Sequence, residues 1–216
     1  MATRNFDATL LAKFAAILIA AFACGPAALA TPDPGKLKVD PASKQGVILF
    51  RAPVLSTTYN IDLRRENGGG WSGFEPVFIH AGPRTGMRWI AIKAKPGRWA
   101  LTSLGQQLRW NICYWKDVPT FEVRPGQITF VGEWDGETAL QRLSAMAVRG
   151  GQTVSTGQYF WYWNDDNRPP LSGGADPSLR REAEAFVRSG MPGARLPFAD
   201  PAFATVQKTK RPATRC

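Results

Sequence analysis

The stretch Val118–Trp134, VPTFEVRPGQITFVGEW, constrains the fold of this chain more than any other. Phe121 and Val123 alternate with Glu122 and Arg124, giving one apolar and one charged face, the pattern of a half-buried strand. Ile128, Phe130 and Gly132 repeat the alternation up to Trp134. Between the runs lies Arg124-Pro125-Gly126-Gln127, where proline fixes φ at one turn position and glycine tolerates a positive φ at the next. The stretch therefore reads as a β-hairpin. Strand patterns surround it. Gly46–Arg51 is an unbroken apolar run closed by Ala52-Pro53, and Tyr59, Ile61 and Leu63 alternate with Asn60, Asp62 and Arg64, a strand with one wet face. Phe74–His80, Arg88–Lys93, Trp99–Leu104 and Leu108–Trp115 add further strands. Arg65–Gly73 reads as a glycine loop carrying Trp71, and Lys95-Pro96-Gly97-Arg98 as a second Pro-Gly turn. Short strands spaced by roughly ten residues with turn residues between them imply an all-β sandwich or barrel.

Beyond the hairpin the pattern changes. Thr138–Val148 fits either a helix, through the spacing of Leu140, Leu143 and Ala147, or a strand. Tyr159–Trp163 reads as a final strand. A C-terminal helix over 177–189 follows, with Asp176 as cap, Pro177 at its first position and Leu179, Ala183, Phe186 and Val187 as its apolar stripe. Gly190 ends it and Pro192 lies beyond. The expected layout is a leader over 1–30, a Pro- and Lys-rich linker over 31–45, one antiparallel β-sandwich domain over 46–204 with its late helix, and a basic tail over 205–216.

The leader has the grammar of an export signal. Arg4 and Lys13 precede the apolar run Phe14–Ala23, and Ala28-Leu29-Ala30 supplies a small-residue cleavage site before Thr31-Pro32. Ala21-Phe22-Ala23-Cys24 is a competing signal, an imperfect lipobox in which Cys24 would be lipidated and anchor the chain to a membrane. The sequence carries 27 Lys and Arg against 17 Asp and Glu, a formal charge of +10. Lys208, Lys210, Arg211 and Arg215 contribute to it without an acid after Asp200. In an exported chain such a patch suits an anionic envelope polymer, polysaccharide or lipid headgroup rather than nucleic acid, unless it serves solubility alone.

The strand Lys95–Leu101 (KPGRWAL) and the stretch Phe121–Gly132 carry a resemblance. Together with the early apolar strand and the late helix, they resemble exported bacterial domains of unknown function of the DUF2846 type, some of them lipoproteins. The resemblance spans about Gly46–Gly190. It implies a small sandwich of the transthyretin-like or immunoglobulin-like kind and brings no activity with it.

Catalytic and metal motifs are sparse. His80 is the only histidine, and no Cys-x-x-Cys or His-x-x-x-His spacing accompanies it, so neither a metal nor another cofactor is expected. A Cys113/His80 nucleophile pair is weaker than a structural reading of both residues. Glu133, Asp135 and Glu137 could serve a glycoside hydrolase, but their alternate spacing equally describes a solvated turn. Asn164-Asp165-Asp166-Asn167 reads as a polar turn rather than a calcium loop. With Cys24 removed or lipidated, Cys113 and Cys216 remain and are expected to form a disulfide in an oxidising compartment. The aromatic run Tyr159-Phe160-Trp161-Tyr162-Trp163 puts large rings on both sides of one strand. Either both sides are packed, or Tyr159, Trp161 and Trp163 with Asn164 and Asp165 form a sugar or peptidoglycan platform. The chain is thus expected to be an exported envelope protein with a binding or structural role, not an enzyme.

Overall fold

The computed structural model describes residues 33–67, 70–79, 86–106, 110–149, 160–163, 168–169, 176–194 and 196–206. The leader, Cys24 and the cleavage site after Ala30 lie outside them, as do His80, Tyr159, Asn164, Asp165 and the tail from 207 to 216. The strands are β1 (Gly46–Val54), β2 (Tyr59–Asn67), β3 (Gly70–Ile79), β4 (Gly86–Ala94), β5 (Gly97–Gln106), β6 (Trp110–Cys113), β7 (Val118–Val123), β8 (Ile128–Glu133), β9 (Phe160–Trp163), β10 (Phe198–Ala199) and β11 (Ala204–Val206). Two α-helices, α1 (Gly136–Arg149) and α2 (Pro177–Gly190), and a short 3-10 turn at Pro34–Lys36 complete the described chain.

The strands form two sheets, as a mainly-β sandwich requires. Sheet I has the order β10-β8-β1-β4. Sheet II has the order β11-β7-β5-β2-β3, with β6 also on β5 and β9 on β6. Most pairs are antiparallel, but β1–β8, β8–β10 and β6–β9 are parallel, so the sheets are mixed rather than purely antiparallel.

The stretch expected to be a hairpin is a corner between the sheets. β7 pairs with β5 and β11 in sheet II, whereas β8 pairs with β1 and β10 in sheet I. The turn chemistry explains the difference. Two-residue hairpins favour type I′ or II′ turns, which demand φ > 0 at the first central residue. Pro125 there is confined to a negative φ and Gly126 takes φ 62° at the second, so the strands splay and each joins its own sheet. The turn at Pro96-Gly97 acts alike, carrying the chain from β4 in sheet I to β5 in sheet II. A true hairpin lies where a glycine loop was expected: Asn67 faces Gly70 across β2–β3, with Gly68-Gly69 between the paired ends.

Two cores result. Between the sheets, Ile48, Phe50, Tyr59, Ile61, Trp99, Leu104, Phe121, Val131 and Trp134 pack together. A second core lies on the far side of sheet I, where Val47, Leu49, Ala91, Ile128 and Phe130 meet Leu179, Ala183 and Val187 of α2. A strand in the middle of a sheet covered on both faces has no wet side, which is why β1 is apolar without a break from Gly46 to Phe50. The segment read as a linker belongs to this second core. Leu37 and Val39 are buried in it, Val39 bridges to Ala194, and the Val39 N–H donates to Gly193 O at 3.2 Å. Its prolines and lysines hid two well-spaced apolar anchors.

Thr138–Val148 is helical, within α1, so the domain has two helices where one was expected. Asp135 caps α1 by accepting the Glu137 N–H at 3.1 Å, and Ala139 and Leu140 enter the inter-sheet core. α2 starts as its signals require, with the Asp176 carboxylate accepting from the Ser178 and Leu179 N–H groups, and runs one residue past the expected stop, through Gly190 to a C-cap at Met191. The segment read as a basic tail from 205 begins within the fold, since β11 pairs Ala204–Val206 with Val118–Thr120.

Candidate functional site

Sheet II buries polar side chains on the face turned away from Ile61 and Leu63. The alternation along β2 places Asn60 and Asp62 there; Ser103 stands opposite Asp62 on β5, and Asn111 on β6 faces Gly105. This was the face expected to be wet. Instead Asp62 and Asn111 are each only 3% exposed and Ser103 is 2% exposed. Glycine at 105 leaves the space between Asn60 and Asn111 without a side chain of its own.

The group is a hydrogen-bonded network. Asn60 Nδ2 donates to Asp62 Oδ1 at 3.0 Å, and Ser103 Oγ donates to the second carboxylate oxygen. Asn111 Nδ2 reaches Ser103 Oγ at 3.4 Å, while Asn111 Oδ1 has no partner among the described residues. A slip of register between Asp62 and Leu63 makes room for Thr102, whose hydroxyl donates to the Asp62 carbonyl at 3.2 Å. Burial drives the Asp62 carboxyl above its ordinary value of 3.8; the hydrogen bonds from Ser103 and Asn60 and the charge of Arg64 oppose the rise without cancelling it.

A folded carboxyl that holds its proton more tightly than the unfolded one stabilises the fold fully below the ordinary value. That contribution is lost as pH rises through the raised folded value. Asp62→Asn keeps the shape and removes the titration, so it should gain stability relative to the parent between pH 4 and pH 7. Denaturant midpoints at the two pH values measure this, and equal shifts at both would show that Asp62 does not titrate differently on folding.

β9 brings the aromatic strip to this network. It pairs with β6 in parallel, Trp161 opposite Asn111 and Trp163 opposite Cys113. The strip is therefore a strand of sheet II, next in line after the strand that carries Asn111. Of the expected platform residues, Trp161 and Trp163 are placed here by register; Tyr159, Asn164 and Asp165 lie outside the described residues. Close by, Arg168 donates to the carbonyls of Asp117 at 2.9 Å and Lys116 at 2.5 Å, and its guanidinium lies 5.1 Å from the Tyr114 ring centroid. That clamp secures the turn between β6 and β7, where Asp117 takes φ 50°.

The acids considered for hydrolysis have other occupations. Glu133 accepts from Arg51 Nε at 2.6 Å and from a second guanidinium nitrogen, while Arg51 Nη1 reaches Glu182 of α2 at 2.7 Å. Arg51 also lies over Trp89, which stacks on Phe186. Arg51, held by Glu133, thus latches α2 to sheet I through Glu182, Asp135 caps α1, and Glu137 accepts from Gln141 at 3.2 Å. Among the described residues no cluster of His, Cys, Asp and Glu is arranged to hold a metal ion. Cys113 is fully buried and disulfide-bonded, and its partner lies outside the described residues. The basic residues Lys208, Lys210, Arg211 and Arg215 lie outside them too.

Sequence reasoning passed over Asn60, Asp62, Ser103 and Asn111. Only Ser103 and Asn111 gave a signal, as hydrogen-bonding residues within largely apolar or aromatic strands; Asn60 and Asp62 alternate with Arg64 as a wet face would, and the register that joins the four is not written in the sequence. Comparison with known protein families, curated protein sequences and solved structures gives no match.

Proposed function

We propose that this chain is an exported cell-envelope protein that works by binding, and that its ligand is a polysaccharide held at the β6–β9 end of sheet II. Export is inferred from the basic start, apolar run and Ala28-Leu29-Ala30 site of the leader. The binding reading rests on one observation, the alignment of Trp161 with Asn111 beside the Asn60–Asp62–Ser103 network. Sugar recognition needs an aromatic ring for the apolar face of the pyranose and amide or carboxylate groups for its hydroxyls. The commitment of Glu133 and Asp135 to structural contacts favours binding over hydrolysis.

The test is retention of the exported protein on insoluble peptidoglycan and on cellulose. Trp161→Ala should abolish retention while moving the thermal midpoint by no more than a few degrees, equivalent to about 1 kcal/mol for a domain of this size. Undiminished retention would end the proposal. So would a stability loss of roughly 3–5 kcal/mol, which would identify Trp161 as core.

A further inference from the structure

We infer that the end of the sandwich where its two Pro-Gly corners meet is a docking surface for anionic phospholipid headgroups. It is built from Lys44, Lys93, Lys95, Arg98 and Arg124, with Phe203 on its flank. This surface lies at the opposite end of sheet II from the polysaccharide site proposed above and does not depend on it.

Three segments distant in sequence meet at Gly46. Gly46 opens β1 and pairs with Ala94, the last residue of β4, so Lys93 and Lys95 flank that pair. The Arg124 carbonyl closes over Gly46 so tightly that a side chain there has no room. One residue back, Gln45 O accepts the Gly126 N–H at 3.0 Å, which fixes the arm carrying Lys44 against the same corner. On the facing sheet Gly97 stands opposite Val123, and Arg98 follows it on β5. The cations therefore project from a frame held by strand pairing and close backbone contact.

The acids at this end are already engaged. Glu122 stands opposite Arg98 across β5–β7, Glu66 pairs with Arg98 at 2.9 Å, and the Asp40 carboxylate accepts the Ala42 N–H at 2.9 Å. Lys44, Lys93, Lys95 and Arg124 are exposed and make no ion pair among the described residues. Acids gather instead at the other end, where Glu133, Asp135 and Glu137 lie along the passage from β8 to α1. A domain with one positive and one negative end approaches an anionic surface corner first.

Phe203 selects lipid over a sugar polymer. It is 41% exposed, matched only by Met87 among the large apolar residues described. Its ring lies 6.4 Å from that of Phe121, which precedes Arg124 by three residues, about 10 Å along the strand. Lysine point charges beside one projecting apolar ring match a headgroup layer, where cations meet phosphates and the ring reaches the acyl boundary.

The test sediments the full chain, exported with its own leader, with two kinds of phosphatidylcholine vesicle, one containing about one part in three of phosphatidylglycerol and the other none. The ratio of the two partition coefficients is read, so that any attachment indifferent to lipid charge cancels. For the parent it should exceed about a hundred at low salt and fall steeply as salt rises. Lys44→Gln/Lys95→Gln should lower it about twentyfold, roughly fivefold for each cation removed. Arg88→Gln/Arg181→Gln takes the same charge from exposed residues elsewhere and should change it less than about threefold, because screening leaves only nearby cations effective. Phe203→Ser should weaken binding to the anionic vesicles about fivefold. A parent ratio near one overturns the inference, as does an equal fall in the two double variants, which would reduce it to net charge. Unchanged binding by Phe203→Ser overturns it too. So does tighter binding to polygalacturonate than to anionic vesicles, which would make the partner a polyanionic sugar.

Discussion

Replacing Trp134 by alanine should lower stability by roughly 3–5 kcal/mol, among the largest losses available to a single substitution in this fold. Trp134 is 1% exposed and sits where β8 hands over to α1. Its backbone N–H donates to Arg51 O at 2.8 Å, and its ring centroid lies 6.4 Å from that of Tyr59. It also walls a small apolar void of about 10 Å³ with Phe50, Ile61, Leu63, Leu101, Phe121 and Val131. Truncation would enlarge that void into a cavity between the sheets, and neighbours held in paired strands can close it only in part. Phenylalanine makes the informative control. The indole N–H of Trp134 has no partner among the described residues, so Trp134→Phe forfeits volume without breaking a hydrogen bond. Its cost should stay below about 2 kcal/mol. Chemical denaturation of both variants checks the pair, and a Trp134→Ala variant within 1 kcal/mol of the parent would refute the inter-sheet core as described.

The second large effect concerns the segment before β1. The double variant Leu37→Ala/Val39→Ala should lose on the order of 4 kcal/mol, with a thermal midpoint lower by about 10 °C. Both side chains are buried against the same core as Leu49, Phe130 and α2. Backbone adds to the constraint. Gly126 N–H donates to Gln45 O at 3.0 Å, and a Cβ at Gly126 would stand 2.3 Å from Pro41 O. The arm is thus seated against the Pro125-Gly126 corner as well as against sheet I. If the double variant denatures with the parent, the arm is the linker its composition suggested.

Most strand positions were legible because alternation and Pro-Gly punctuation act locally. Phe121/Glu122 and Ile61/Asp62 announce a strand wherever they fall in the fold. Strand partnership is not local. Nothing in VRPGQI names β5 and β1 as the separate neighbours of β7 and β8, although the proline at the first turn position argues against a tight hairpin. The same limit hid the site. Asp62 reads as wet from β2 alone; only the arrival of Ser103 and Asn111 on adjacent strands makes it a buried network. The linker reading failed because Leu37 and Val39 gain meaning only beside α2, which is distant in sequence. Helix α2, whose cap and stripe are encoded within it, was predicted from its first residue and to within one residue of its end.

The pairing pattern of sheet I sets an order of assembly. β2–β3 and β5–β6 are neighbours in sequence, so much of sheet II can form as soon as those segments meet. Sheet I must wait. Its central strand β1 needs β8, and the Arg51–Glu133 contact spans 82 residues. Arg51–Glu182 spans 131, and only then does α2 cover the outer face. A chain emerging N-terminus first would therefore present β1 early but could not close around it until nearly all of the domain had been delivered. Under the export proposed above, that delay would keep the leading half pliable during passage. It also leaves the apolar strand Gly46–Val54 as the segment most in need of a chaperone while it waits.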